Sequence, residues 1–293
     1  MSINTLSIPP PAKAYSFQTC LSNTEKSINN NNQLKLMMSK QRVFLLSTGC
    51  FNPPTHMHLR MMELARDHLV KVGCSVIGGA LSPVHDSYSQ HKQDLVRASS
   101  KHRIKMVQLA VSSSEWLKVS SWEAEKNTDW TRTRLVFDHH RKHLDKYATR
   151  NIDEEAAEWL PSDSLIPVDN SAEHVLPIRL KLVCGADYLE SFNRPGAWEN
   201  DDALTLARDY GLVVISRAGN DPFWSINNND ILNANRGNIH VVKEWIRNDI
   251  SSTKVRRSVR RFESVRYIIP DPVLNYIQTE RLYVEQTDQV ERT

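Results

Sequence analysis

The run Gly49-Cys50-Phe51-Asn52-Pro53-Pro54-Thr55-His56-Met57-His58 follows the apolar stretch Val43 to Leu46 and leads into a helical pattern. A strand, a tight turn and a helix start in that order set histidines beside backbone N–H donors. Such a helix entrance attracts phosphate through its amides and its dipole, and an imidazole there adds a hydrogen bond to a phosphoryl oxygen. A second entrance of this type begins at Ser251-Ser252-Thr253, whose hydroxyls suit a helix cap, with Arg256 one turn further on. The pattern by itself leaves two readings open for each. His56 and His58 also suit a surface cap, and Arg256, Arg257, Arg260 and Arg261 also suit a solvated basic face.

The elements needed to hold these residues can be read from hydrophobic periodicity. Leu59, Met62, Ala65 and Leu69 recur at spacings of three and four and predict a helix that carries His58 in its first turn. Val43–Leu46, Val76–Leu81, Leu117–Ser120, Ile178–Cys184, Leu212–Ser216 and Ile239–Val242 read as strands. Helices are expected over His102–Val111, from caps at Asn127-Thr128-Asp129 through Leu144, over Ala203–Tyr210 with Gly211 as its stop, and from Asp271-Pro272 to about Arg281. Alternation of this kind, with nearly continuous apolar strands, implies an α/β fold: a doubly wound, mainly parallel sheet with helices on both faces. Its ligands should gather at the carboxyl ends of the strands. Gly49, Ser82, Trp122, Gly185 and Arg217 all fall at or just past such ends. No GxGxxG or GxxxxGK[ST] occurs, which disfavours a dinucleotide-binding dehydrogenase or a P-loop ATPase.

Further along, the same order of short motifs recurs that is found in one enzyme group. Gly49, Phe51, Pro53, Thr55 and His58 match GxFxPx(H/T)xxH. Then come Ser82-Pro83-Val84 with Asp86 and Tyr88, Trp122-Glu123, Cys184-Gly185-Ala186-Asp187, Arg217-Ala218-Gly219-Asn220, and Asn248-Asp249-Ile250-Ser251-Ser252-Thr253-Lys254-Val255-Arg256-Arg257. From about Val43 to about Tyr283 the chain resembles the nucleotidylyltransferases, and among them the eukaryotic nicotinamide/nicotinate mononucleotide adenylyltransferases.

The resemblance implies adenylyl transfer from ATP to nicotinamide mononucleotide, and to nicotinate mononucleotide as well, forming NAD or its deamido form and pyrophosphate. It implies His58, Arg256 and Lys92 as catalytic residues. ATP and phosphate binding falls to Gly49, Cys50, Phe51, His58, Lys92, Asn220, Ser252, Thr253 and Arg256. The mononucleotide falls to Trp122, Glu123, Gly185, Asp187, Trp198 and Arg217. The two tryptophans suit a pyridinium ring, because indole is the best cation–π platform. They also disfavour phosphopantetheine as the acceptor in a related transferase. No protein metal cage is expected; Mg²⁺ should arrive mainly through the ATP phosphates, since it keeps much of its water shell. Retention of His58, Lys92 and Arg256 disfavours an idle site in a purely protein-binding or chaperone-like relative. Two departures stand out. Thr55 occupies the signature's first histidine position, and Lys92 is a single lysine where the family shows a cluster.

Composition bounds the rest. In 293 residues the charged fraction is 24% and the net charge +3, so no global basic field calls for a nucleic-acid partner. Four scattered cysteines, Cys20, Cys50, Cys74 and Cys184, lack metal-ligand spacing and suit a reducing compartment. The absence of a long apolar run or a secretory leader leads to the expectation of a soluble intracellular chain, cytoplasmic or nuclear, with no membrane partner. Organelle import through residues 1–40 and homo-oligomerisation are left open. Residues 1–40, with Pro9-Pro10-Pro11 and Asn29 to Asn32, are expected to be a disordered leader, 41–284 the catalytic domain and 285–293 a flexible tail. Between Asn151 and Ile178 there is no lysine or arginine, and an acidic, solvated insertion is expected over about 150–177.

Overall fold

The computed structural model describes residues 41–91, 98–125, 129–149, 153–161, 177–216, 221–246 and 248–284. The chain separates into Met1–Ser39 and Lys40–Thr293, and the expected leader lies outside the described residues. In order, the main elements are β1 (Arg42–Gly49), α1 (His56–Lys71), β2 (Ser75–Pro83), α2 (Ser100–Val111), β3 (Leu117–Val119), α3 (Trp122–Glu125) and α4 (Thr133–Ala148). They continue with β4 (Ile178–Gly185), α5 (Ala186–Glu190), α6 (Asn200–Thr205), β5 (Leu212–Ser216), α7 (Pro222–Asn227), α8 (Asp230–Ala234), β6 (Ile239–Lys243), α9 (Ser252–Arg260) and α10 (Asp271–Thr279). No helix among the described residues is long and apolar enough to cross a membrane.

The six strands form one sheet in the order β3-β2-β1-β4-β5-β6, every pairing parallel. This is the doubly wound arrangement that the alternating pattern predicts, and its order reverses between β1 and β4. β1 shows why its sequence is continuously apolar. Val43, Phe44, Leu45 and Leu46 are all fully buried, with Phe44 and Leu46 entering the core on one face and Val43 and Leu45 the core on the other. On α1, Met62, Ala65 and Leu69 form the buried stripe, with Leu59 partly covered beside them. A third cluster packs Met106 and Ala110 of α2 against Val255 of α9, Val273, Leu274 and Ile277 of α10, and Tyr283. That cluster matters for function, because it docks the C-terminal helices beside the β1–α1 loop.

Several boundaries differ from expectation. The helix expected from caps at Asn127-Thr128-Asp129 begins at Thr133 after Arg132, without a side-chain cap bond, and 126–128 lie outside the described residues. Asp129 accepts instead from the Trp130 amide, which is the local turn bonding that competes with helix entry. The helix expected at Ala203 starts at Asn200 and runs through α6 into a π turn, Leu206–Tyr210, which Gly211 ends at φ 81°. In α10, Pro270 holds the cap position, so Asp271 and Pro272 lie within the first turn.

The acidic insertion is not simply solvated where it is described. Trp159 is 1% exposed, stacks edge-on against Phe44 at 5.5 Å, and is flanked by buried Ala156 and Leu160. Its seven acidic residues concealed an apolar anchor of three. Trp159→Ala should therefore destabilise the chain by about 3–5 kcal/mol in urea unfolding, the usual cost of deleting a buried aromatic. A change below about 0.5 kcal/mol would match a solvated surface position.

Candidate active site

The ends of β1, β4 and β5 and the entrances of α1 and α9 enclose a cavity of about 240 Å³ at the point where strand order reverses. Gly49, Phe51, Thr55 and His58 line it from the first loop, Gly185 and Asp187 from the β4–α5 turn, and Ser251 and Ser252 from the start of α9.

His58 is the third residue of α1 and doubles as that helix's cap. Its Nδ1 accepts from the Thr55 amide at 3.0 Å, and Thr55 Oγ1 stands 2.9 Å from the same nitrogen. Histidine here fills the place that glutamate or glutamine takes in a capping box. With Nδ1 an acceptor, the neutral ring carries its proton on Nε2 as a donor. The backbone amides of α1 are more engaged than the pattern implied, since the His56 amide donates to Ile268 O at 3.4 Å and the His58 amide to Thr55 O at 3.0 Å. His56 itself is exposed and is absent from the cavity lining.

Four side chains from distant parts of the sequence fix the β1–α1 loop, in which Phe51 takes left-handed backbone at φ 46°. Arg256, 3% exposed, donates from Nη1 to Asn52 O at 2.8 Å and from Nη2 to Thr253 Oγ1 at 3.3 Å. Tyr283 donates its hydroxyl to Asn52 Oδ1 at 2.5 Å, and Ser252 Oγ donates to Pro53 O at 2.8 Å. Arg103, fully buried, donates to Cys50 O at 3.1 Å and Val84 O at 2.7 Å and pairs with Asp86 at 2.8 Å. His58 and Arg256 thus meet on one loop, three residues apart through Thr55 and Asn52. Arg256, Thr253 and Cys50 are not among the lining residues, and Arg256 braces the loop through the Asn52 carbonyl.

At the β4–α5 turn, Gly185 leaves room for the Asp187 carboxylate, whose Oδ1 would have to swing aside to make space for a Cβ there. Ser251, as expected, caps α9 by accepting from the Lys254 amide at 3.3 Å.

The aromatic pair lies outside the cavity lining. Trp122 stacks on His139 at 3.8 Å and 13°, while Trp198 stacks on Phe192 at 4.3 Å and 15° and donates from Nε1 to Ser191 Oγ at 3.0 Å. Each indole thus has a neighbour of its own on one face. Both pack against the same core cluster. Glu123 is 1% exposed and accepts from Ser82 Oγ at 2.9 Å, and burial pushes its carboxyl up to about 8. Lys92, Arg217 and Asn220 lie outside the described residues. Pattern reading overlooked Thr48, Met61, Tyr188 and Ile215 in the lining and Tyr283 behind it. Thr48 and Ile215 could have been found from their places at strand ends, whereas nothing in the sequence marks Tyr283.

Residues 46–258 match the family described as cytidylyltransferase-like. The nicotinamide/nicotinic acid mononucleotide adenylyltransferase 1 of Bos taurus is 41% identical over 263 residues, covering 85% of this chain and 92% of that protein. The corresponding Arabidopsis thaliana enzyme is 38% identical over 248 residues, covering 85% and 92%. Among solved structures, the Plasmodium falciparum nicotinic acid mononucleotide adenylyltransferase complexed with NaAD shares the fold, with a TM-score of 0.52 and 13% identity over 83% of this chain and 98% of that one.

The raised Glu123 carboxyl makes a prediction about pH. The folded state keeps the proton up to about 8 while the unfolded chain releases it near 4.5, so this residue lowers stability progressively across that interval. Glu123→Gln removes the effect. Its melting temperature relative to the native chain should rise as pH goes from 4.5 to about 8. A difference independent of pH would mean that the buried carboxyl is already ionised.

Proposed function

The chain belongs to the cytidylyltransferase-like family, among its nicotinamide/nicotinic acid mononucleotide adenylyltransferases, and we infer that the strand-end cavity is where ATP and the mononucleotide meet. The reaction transfers the adenylyl group of ATP to the mononucleotide, in NAD biosynthesis. A phosphate oxygen of the mononucleotide forms a bond to the α-phosphorus, the bond from that phosphorus to the bridging oxygen breaks, and pyrophosphate leaves with its electron pair.

The nucleophile is already an anion, so no residue must take its proton. The work left to the protein is in-line positioning and stabilisation of charge on the phosphoryl oxygens. One observation carries this reading: His58, held through Nδ1 by its own helix cap, lines the cavity together with the α9 entrance. His58 donates to a phosphoryl oxygen in the transition state. Ser252 and the start of α9 receive the far end of the triphosphate, and Arg256 contributes positive charge while keeping Asn52 in place. Asp187 receives a ribose hydroxyl or an amide of the mononucleotide, and Trp122 and Trp198 flank its charged ring. Lys92, Arg217 and Asn220 join phosphate, mononucleotide and adenosine binding, as their motifs suggest.

Mg²⁺ suits this donor set as a companion of the triphosphate. Asp187 is the single carboxylate among the described lining residues, far from the six oxygens the ion requires, so phosphates and water must supply most of its shell. When bound, the ion would supply positive charge to offset that of the phosphates.

His58→Gln separates the residue's two duties, because glutamine preserves the capping-box acceptor and removes the imidazole. The expected result is a kcat reduced about 10²–10³-fold, as for loss of one transition-state donor, with an unchanged melting temperature. An unchanged kcat would remove His58 from the chemistry. Trp198→Ala should raise KM for the mononucleotide well above any change for ATP, and equal rises would count against ring stacking.

A further inference from the structure

Away from the cavity, the buried face of α4 and the segment after it bring together three groups with no part in adenylyl transfer. The His143 side chain is 3% exposed. Its Nδ1 lies 3.3 Å from Asp153 Oδ2 and its Nε2 3.9 Å from Glu155 Oε2. One donor atom from each of the three residues falls within 4.8 Å of the others. The Nδ1 of His143 is buried and makes no aligned hydrogen bond even to the Asp153 oxygen at 3.3 Å, and Nε2 of His139 one turn earlier, whose ring centroid is 4.5 Å from that of His143, is buried without a hydrogen-bond partner. Buried imidazole nitrogens left unpaired are costly and call for an explanation.

We propose that His143, Asp153 and Glu155 form a binding site for a divalent cation of the zinc type, which clips α4 to the segment containing Trp159. The spacing supports this. Ligands at about 2.0–2.1 Å from a tetrahedral ion stand roughly 3.4 Å apart, close to the His143–Asp153 separation. Glu155 stands at the ring's other nitrogen, 3.9 Å from Nε2, and must turn toward Nδ1 to share the ion; its side chain is 44% exposed and has room to do so. An imidazole with two carboxylates is a nitrogen–oxygen set that favours zinc over calcium or magnesium. Two cations oppose it from the same helix. Lys146 Nζ bonds Asp153 Oδ2 at 2.9 Å, and Lys142 adds positive potential at His143. The metal must displace Lys146, whose side chain is 39% exposed and has solvent to move into.

The test is Zn²⁺ binding to the full chain in competition with a chromophoric chelator, alongside Co²⁺ as a spectroscopic stand-in. The native chain should bind one competed equivalent, and its Co²⁺ complex should show the intense visible bands of a four-coordinate site. Asp153→Asn with Glu155→Gln, which alters partly exposed groups and spares the core, should weaken Zn²⁺ at least tenfold with the circular dichroism unchanged. Lys146→Met should strengthen binding several-fold by freeing the Asp153 oxygen. Zn²⁺ affinity equal in the double variant and the native chain would overturn the site and point elsewhere, for instance to His68 and His240, whose ring nitrogens lie 3.2 Å apart. Absence of a saturable equivalent in the native chain would overturn it as well.

Discussion

Asn52 is held through both its backbone and its side chain by residues from the far end of the chain, and the geometry of the cavity depends on that grip. Arg256 takes its carbonyl and Tyr283 its amide oxygen, while Ser252 secures the next carbonyl. A strand-to-helix loop with a left-handed residue at Phe51 would otherwise have many conformations of similar energy. The buried guanidiniums of Arg103 and Arg256 are tolerated because loop carbonyls meet them with good hydrogen bonds, and removing either would leave buried acceptors unpaired. The consequence is that two helix entrances about two hundred residues apart in sequence open into one space.

That grip also explains a division of labour. Side chains that line the cavity, His58, Asp187 and Ser252, come from first turns of helices set on strand ends. Those behind it, Arg103, Arg256 and Tyr283, carry rigidity instead of contact. A reaction whose nucleophile arrives ionised gains most from donors fixed in advance, since they need no reorganisation as charge moves. His58 illustrates the economy: the amide bond that completes its helix also selects the tautomer it presents.

The sheet was legible because its signal is dense. Strands such as Leu212–Ser216 are short apolar runs ended by glycine or polar residues, and their periodicity needs no tertiary information. The backbone form around the cavity was legible where a motif imposes it, as at Gly49–His58 and at the Ser251 cap. What escaped was long-range. Arg256 reads as a cation near a helix start, and only the fold shows its guanidinium turned to Asn52. Trp159 lay hidden in an acidic stretch because composition averages over a window and one indole is enough to anchor it. Tyr283 carries no local pattern, since its partner is 231 residues away. The start of α4 was misjudged because Asp129 serves its own turn, a choice that propensity leaves undecided.

The most direct test of two entrances sharing one polyphosphate is a crystal structure of the chain with a non-hydrolysable ATP analogue. The α-phosphate should lie within hydrogen-bond distance of His58 Nε2, with the remaining phosphates running to the α9 entrance at Ser252. A triphosphate bound elsewhere, with the His58 ring facing none of its oxygens, would contradict the account.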